Sequence, residues 1–271
     1  MGLIRHSERS REQDLRMAAT AGGFGRVSGI EDDMIKINLP IYVPTWVYQV
    51  LRKTRQRHSI DLSGDREIEW SFVVSRLAEG PGEILDFGAS CGNLSIAAAR
   101  RGFHVLALDL APERFSWKHP NVDFLQADLL EAELPASHFD FILNCSSVEH
   151  VGLRGRYGVA AEETDGDLEA MRRFRFLLKP TGRMLLTIPC GQDAAIVPWH
   201  RVYGAQRLPK LLSGFEVLEE EFWAKRPDNR WYPSDRKTAL LFPPTGHPTN
   251  PFFCSYALGC FVLRPHASPV S

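Results

Sequence analysis

Between residues 83 and 190, short apolar runs alternate with helical stretches, and no other feature of the chain constrains its fold as tightly. "EILDFG", "HVLALDL", "VDFLQAD", "FDFILNCSS" and "RMLLTIPCG" read as five strands, apolar on both faces. Such strands belong in a parallel sheet, because each parallel crossover lays a helix across one face and shields it from water. "NLSIAAARRG" reads as a helix closed by Gly102, and "DGDLEAMRRFRFLLKPTG" as a longer one ended by Pro180 and Gly182. Ahead of the first strand, "DREIEWSFVVSRLAEGPG" sets Ile68, Phe72, Val73 and Leu77 on one helical face. Further on, "FEVLEEEFWA" and "CSYALGCFVLRP" read as two more strands, separated by a proline-rich stretch. A long insertion of that kind in a compact domain is more often functional than idle.

The chain has 271 residues, 44% of them apolar, enough for one large core or one core and an accessory piece. Its formal net charge is −1, without the basic footprint of nucleic-acid binders, so no nucleic-acid partner is expected. No run approaches the length of a membrane span, and "MGLIRHSERSREQDLR" has no apolar signal core. The expectation is a soluble, cytoplasmic protein with no membrane partner. Five scattered cysteines without a C-x-x-C pair fit reduced thiols. Cys91, Cys145 and Cys190 fall at or just past strand ends, yet no histidine spacing supports zinc, and no metal is expected. Residues 1–65 read as an accessory or lid segment, and 66–265 as the main domain. Within it the 225–251 insertion is the expected substrate lid.

The first strand runs into a turn that carries Gly88 and Gly92, with Ser90 where a G-x-G-x-G run would have its middle glycine. Such a turn brings backbone N–H groups close to a ligand, although alone it is equally an ordinary strand–helix connection. Two later carboxylates weigh on this choice. Asp109 ends the second strand, where it can accept hydrogen bonds from both ribose hydroxyls of an adenosine-type ligand. Asp128 ends the third, within reach of an adenine edge. Each acid alone is more often a cap or a solvated loop residue, whereas Asp86, Asp109 and Asp128 form a series at successive strand ends.

"EILDFGASCGNLSIA", "HVLALDL", "VDFLQADL", "FDFILNCSSVEHV" and "FLLKPTGRMLLTIP" together resemble the class I S-adenosylmethionine-dependent methyltransferases. The resemblance covers roughly residues 67–215, and its motifs fall in the family's order. A dinucleotide dehydrogenase would share the glycine turn and the ribose acid, but "LLKPTGRMLLTIP" after a strand ending in Asn144 is more like the methyltransferases. The family implies a Rossmann-like three-layer α/β sandwich with a seven-stranded, mostly parallel sheet and an antiparallel last strand. It also implies S-adenosyl-L-methionine as cofactor, across the carboxyl ends of the first strands. By position, Asp86 and Gly88 would lie near the methionine portion, with Ser90 and Gly92 lining the turn. Asp109 would bind the ribose, Leu110 would pack on the adenine, and Asp128 with Leu129 would hold the adenine edge. Asn144 and Cys145 would flank the methionine end with their backbone. Ser90 departs from the family pattern and reads as a tolerated variant. "CSSVEHVGLRGRYG" is similar to a little-characterised branch with a Ser-Ser-x-Glu-His-Val-Gly motif.

Methyl transfer from a sulfonium chiefly needs alignment of the reacting atoms and exclusion of water, and a hydroxyl acceptor also benefits from a base. His150, beside Glu149, and His200, in "VPWHRVYG", are the catalytic candidates, while structural capping and loop packing stay open for both. Arg201 and Tyr203 suit an anionic or hydroxylated substrate, as does Tyr157 in a cluster with Arg154 and Arg156. Trp199, Trp223, Trp231 and Tyr232 are candidates to wall a substrate pocket. The expected function is O-methylation of a small molecule, a sugar or specialised metabolite. N- or C-methylation, a protein substrate and a non-catalytic cofactor-binding protein are the alternatives. The expected partner is the small-molecule methyl acceptor, with a homodimer left open.

Overall fold

The computed structural model describes residues 65–111, 115, 117–155, 163–225, 230–246 and 254–266. Apart from Asp65, the N-terminal accessory segment lies outside them, as does part of the 225–251 insertion. In chain order the elements begin with α1 (Arg66–Arg76), β1 (Glu83–Phe87), α2 (Asn93–Ala99), β2 (His104–Asp109), β3 (Val122–Gln126) and β4 (Phe139–Cys145). A 3-10 turn over Val148–His150 leads to α3 (Gly166–Leu177), β5 (Leu178–Cys190), β6 (Ala194–Ile196) and β7 (His200–Val202). The last are α4 (Arg207–Leu211), β8 (Phe215–Lys225), β9 (Trp231–Ser234), α5 (Arg236–Leu240) and β10 (Ala257–Pro265).

The main sheet has eight strands in the order β3-β2-β1-β4-β5-β10-β8-β9, and β6 and β7 form a separate antiparallel pair. Strands β1 to β5 pair in parallel, whereas β10 runs antiparallel to both β5 and β8. This is the Rossmann-like three-layer arrangement, mostly parallel with an antiparallel last strand. The strand count exceeds the expected seven by one, because Trp231–Ser234 of the insertion pairs antiparallel with the outer edge of β8. Pro233 falls within β9, and an edge strand tolerates proline because one row of its N–H groups needs no partner.

Each face of the sheet carries its own apolar layer. On one side Phe72 and Val73 of α1 and Ala98 of α2 pack with Ile84, Val105 and Leu143. On the other, Ala170, Met171, Phe174 and Leu177 form the buried stripe of α3, spaced as one helical face requires. Phe174 is fully buried and meets Phe87 edge to face at 5.1 Å. Burial of such a ring contributes about 1.5–3 kcal/mol. Helix α3 stops at Leu177, before the Pro180-Gly182 stop read from sequence, and β5 starts at once. Lys179 precedes proline and is biased toward extended backbone, which draws the junction forward.

The chain runs outward from β1 to β3 and then returns to β4 on the other side of β1. The register sets Phe87 beside Asn144, and Asp109 beside Gln126, so the carboxyl ends of these strands open onto one crevice. Crevices at such a reversal of strand order are where open α/β sheets bind ligands. Among the described residues, no helix is long and apolar enough to cross a membrane.

Candidate functional site

A cavity of about 360 Å³ fills this crevice. Its floor is the turn after β1, where Gly88, Ser90 and Gly92 all take positive φ, at 69°, 49° and 74°. Alternating left-handed residues fold the chain back tightly, with Gly88 and Ala89 N–H bonded to the Leu108 carbonyl at 2.9 and 3.3 Å. Gly88 is irreplaceable on two counts: its φ disfavours a side chain, and an added Cβ would lie 2.2 Å from Ser147 Oγ. Ser90 adopts the strained conformation that a middle glycine would take freely. Its N–H donates to Asp109 Oδ2 at 2.8 Å, which ties the turn to the end of β2.

The three strand-end acids differ in setting. Asp86 is buried and accepts a 2.5 Å hydrogen bond from Ser95 Oγ. Burial pushes its pKa up to about 6, against the pull of the Ser95 bonds and with a small push from Asp109. Asp109 is partly exposed, and its oxygens accept from Ser90 N–H and, at 2.9 Å, from Ala111 N–H. Asp128 lies two residues past β3, where Oδ1 accepts from Leu130 N–H at 2.9 Å. Beside these acids, Leu110 is 39% exposed and Leu129 is buried, an apolar wall open on one side. Asp86, Gly88, Ser90, Asp109, Leu110, Asp128, Leu129 and Cys145 all border the cavity. Gly92 and Asn144 stand behind its wall. Gly92 passes under Phe115 and Trp117, and the Asn144 Oδ1 accepts from Val148 N–H at 3.2 Å.

The end of the cavity beyond β4 is built around Glu69 of α1, which is fully buried. One carboxylate oxygen accepts from Ser146 Oγ and, at 2.7 Å, from Thr187 Oγ1, and the other accepts from Arg66 Nη1 at 2.8 Å. Burial raises the Glu69 pKa and Asp65 adds to the rise, while Arg66, Ser146 and Thr187 draw it down. Arg66 also reaches the Cys145 carbonyl at 3.3 Å, and it borders the cavity with Trp70, Cys145, Ser146 and Ser147. Ser146 has φ +48°, the second serine bordering the cavity in left-handed backbone. The sequence pattern assigns this helix only an apolar face of Ile68, Phe72, Val73 and Leu77, and conveys nothing of the roles of Arg66, Glu69 and the double serine. The i, i+3 pair Arg66–Glu69 looks like an exposed helix pair until the burial of Glu69 against β4 and β5 is seen.

The two histidines sit differently. His150 borders the cavity, and its Nδ1 lies 2.5 Å from the Trp199 carbonyl. A carbonyl only accepts, so Nδ1 carries the proton and Nε2 is the basic nitrogen of the neutral ring. Glu149 Oε1 stands 3.8 Å from that Nε2. His200 is buried behind it, with ring centroids 6.5 Å from His150 and 5.1 Å from Tyr256, and does not border the cavity.

Arg201 and Tyr203 are not at the cavity either. Arg201 is buried, donating to the carbonyls of Val151 at 2.5 Å and Glu163 at 2.9 Å. Tyr203 is fully buried and donates to Asp167 Oδ2 at 3.0 Å. Their polar groups tie β7 and the residue after it to the loop before α3 and to Asp167 in the first turn of α3, away from the residues that border the cavity. Tyr157 and Arg156 lie outside the described residues. Trp223 and Trp231 flank a separate depression against α1. No described residue of the 225–251 insertion borders the main cavity. Cys91 and Cys145 border it, whereas Cys190 is buried in the core. Among the described residues no group of side chains could hold a metal ion.

A family described as "Caenorhabditis protein of unknown function, DUF268" matches residues 119–230, under half of the chain. The ubiquinone biosynthesis O-methyltransferase of Xanthomonas campestris pv. campestris is 31% identical over 154 residues, covering 54% of this chain and 58% of that protein. The chain thus matches little more than half the length of this curated relative. Among solved structures, the 1,6-didemethyltoxoflavin-N1-methyltransferase of Burkholderia thailandensis, with S-adenosylhomocysteine bound, is 18% identical. That likeness covers 85% of this chain and 94% of that one, with a TM-score of 0.43. A TehB-like SAM-dependent methyltransferase of Corynebacterium glutamicum is 17% identical, covering 81% of this chain and 98% of that one, with a TM-score of 0.46. At these TM-scores neither likeness bears on function.

Proposed function

We propose that this chain is an S-adenosylmethionine-dependent methyltransferase acting on a hydroxyl of a small molecule. The observation that carries the reading is the charge pattern of the cavity. Asp86, Asp109 and Asp128 border it, with Arg66 as the one arginine or lysine among the described residues around it. Such a set suits a ligand of net positive charge that bears one anionic group, as a sulfonium amino acid does. Asp109 is suited to ribose hydroxyls, since each of its oxygens keeps acceptor capacity beyond one backbone bond. Leu110 and Leu129 offer an apolar wall to adenine, and Asp128 an acceptor for its amino edge. Asp86 suits the ammonium and Arg66 the carboxylate of the methionine part. The positive-φ turn with Gly88 lets the backbone approach closely. The 31% identical relative, named as an O-methyltransferase, supports transfer to oxygen.

When bound, S-adenosylmethionine supplies an electrophilic methyl group on a sulfonium, a good leaving group. The residues of this chain then have to orient the acceptor, exclude water and accept a proton. His150 is suited to the last task, because its Nδ1–H bond to the Trp199 carbonyl leaves Nε2 as the basic nitrogen. The acceptor hydroxyl would give its proton to Nε2 as oxygen attacks the methyl carbon. Trp70, exposed on α1, supplies an apolar flank at the same end. The test is release of S-adenosylhomocysteine from S-adenosylmethionine across a panel of phenols, sugars and amines. Turnover with a hydroxyl acceptor supports the reading. Turnover confined to amines overturns the choice of oxygen, and tight cofactor binding without any turnover favours a non-catalytic binding protein.

A further inference from the structure

We propose that Glu69, which never touches a ligand, is a positioning residue that gives the cavity its preference for a carboxylate-bearing ligand by holding Arg66 and the Ser146 turn in place together. The inference rests on the cofactor reading above and assigns what makes one end of that site.

Glu69 spends its acceptor capacity in two directions. Oε1 takes the hydroxyl protons of Ser146 and Thr187, one on the turn after β4 and one on β5. Oε2 takes Arg66 Nη1, from one helical turn earlier on α1. Both Arg66 and Ser146 border the cavity, whereas Glu69 is fully enclosed behind them. Ser146 is held at φ +48°, a conformation disfavoured for an L-residue and here compelled by its bonds. The Glu69 bond to its hydroxyl, with the 3.0 Å bond from Ser146 N–H to the Thr187 carbonyl, supplies that compulsion. The turn in turn presents the Cys145 carbonyl, which lies 3.3 Å from Arg66 Nη1. One buried carboxylate therefore fixes the guanidinium from two sides, directly and through the turn. No N–H of Arg66 other than those of Nη1 is committed to a partner within the described residues, so the rest of its planar fork stays available to a carboxylate.

Glutamine has the shape of glutamate but only one acceptor oxygen, with an NH₂ group in place of the other. In Glu69→Gln, an amide turned with its oxygen toward Arg66 can still donate to the two hydroxyl oxygens, but the negative charge that holds the guanidinium is lost. The experiment titrates the full chain with S-adenosylhomocysteine and with 5′-methylthioadenosine, which keeps the adenosine and the thioether but lacks the amino-acid group. Wild type should prefer S-adenosylhomocysteine. Glu69→Gln should weaken S-adenosylhomocysteine about tenfold while changing 5′-methylthioadenosine by less than about twofold. Ser146→Ala, which loses the hydroxyl but keeps the strained backbone, should weaken it in the same selective way. Ser146→Gly, for which positive φ costs nothing, should retain more of the preference. Equal weakening of both ligands by Glu69→Gln, alongside a lowered melting temperature, means a structural role only and overturns the proposal. So does an unchanged preference. If wild type binds neither compound, the cofactor reading fails and the proposal with it. Binding of both without preference sinks the proposal alone.

Discussion

Replacement of Asp86 by asparagine should stabilise the ligand-free protein at alkaline pH and lose that advantage in acid. Asp86 is buried against Ser95, and its pKa in the folded chain is raised from 3.8 to about 6. The folded state thus holds the proton more tightly than the unfolded chain. Above pH 6 the ionised group opposes folding, and the penalty disappears as pH falls through about 6 toward about 4. The distance between 3.8 and about 6 corresponds to ~3 kcal/mol when both states are fully ionised. Asparagine keeps an acceptor for the Ser95 hydroxyl and carries no charge, so most of this should appear as stability. Urea denaturation without ligand should show Asp86→Asn more stable than wild type by ~1–3 kcal/mol at about pH 8, with the gap closing by about pH 4.5. A ligand ammonium beside Asp86 would reverse the balance in wild type, so cofactor affinity should fall as pH drops through about 6. A stability gap independent of pH would refute the reasoning, as would a wild type more stable than the variant at alkaline pH.

Other outcomes follow from the same geometry. Ser90→Gly removes left-handed strain at φ 49° and should stabilise the protein by ~0.5–1 kcal/mol in denaturant titration, with cofactor affinity preserved or improved. Gly88→Ala drives a Cβ into Ser147 Oγ at 2.2 Å and should cost ~2–4 kcal/mol with loss of cofactor binding, which calorimetry would show. His150→Gln should lower turnover of a hydroxyl acceptor about 10²-fold or more while S-adenosylhomocysteine still binds, whereas His200→Ala should act mainly on melting temperature. Unchanged turnover in both would remove the general-base role.

Much of the fold was legible because the strands β1 to β5 carry their own local signal. Each is a short apolar run bounded by a turn, and Asp86, Asp109 and Asp128 mark three of the strand ends at the crevice. The turn was legible too, although its glycine spacing conveyed nothing of the φ +49° at Ser90. What escaped depends on distant partners. Arg201 and Tyr203 read as substrate groups because charged and hydroxylated loop residues usually face solvent, yet their partners Val151, Glu163 and Asp167 lie before α3 and in its first turn, far away in sequence. The edge strand β9 was hidden in a proline-rich stretch, where Pro233 argues against a strand unless an open edge is known to be nearby. Glu69 is the clearest case. Its burial is created by β4 and β5, and a helix read alone leaves such a residue on its solvated face.

The central claim is that the crevice at the ends of β1, β2, β3 and β4 is a site for S-adenosylmethionine. Isothermal titration of the full chain with S-adenosylhomocysteine tests it most directly, run beside Asp109→Ala. The account predicts saturable binding at one site per chain in wild type, and at least about tenfold weaker binding once the ribose acceptor is gone. Absence of binding in wild type, or equal affinity in the variant, would contradict it.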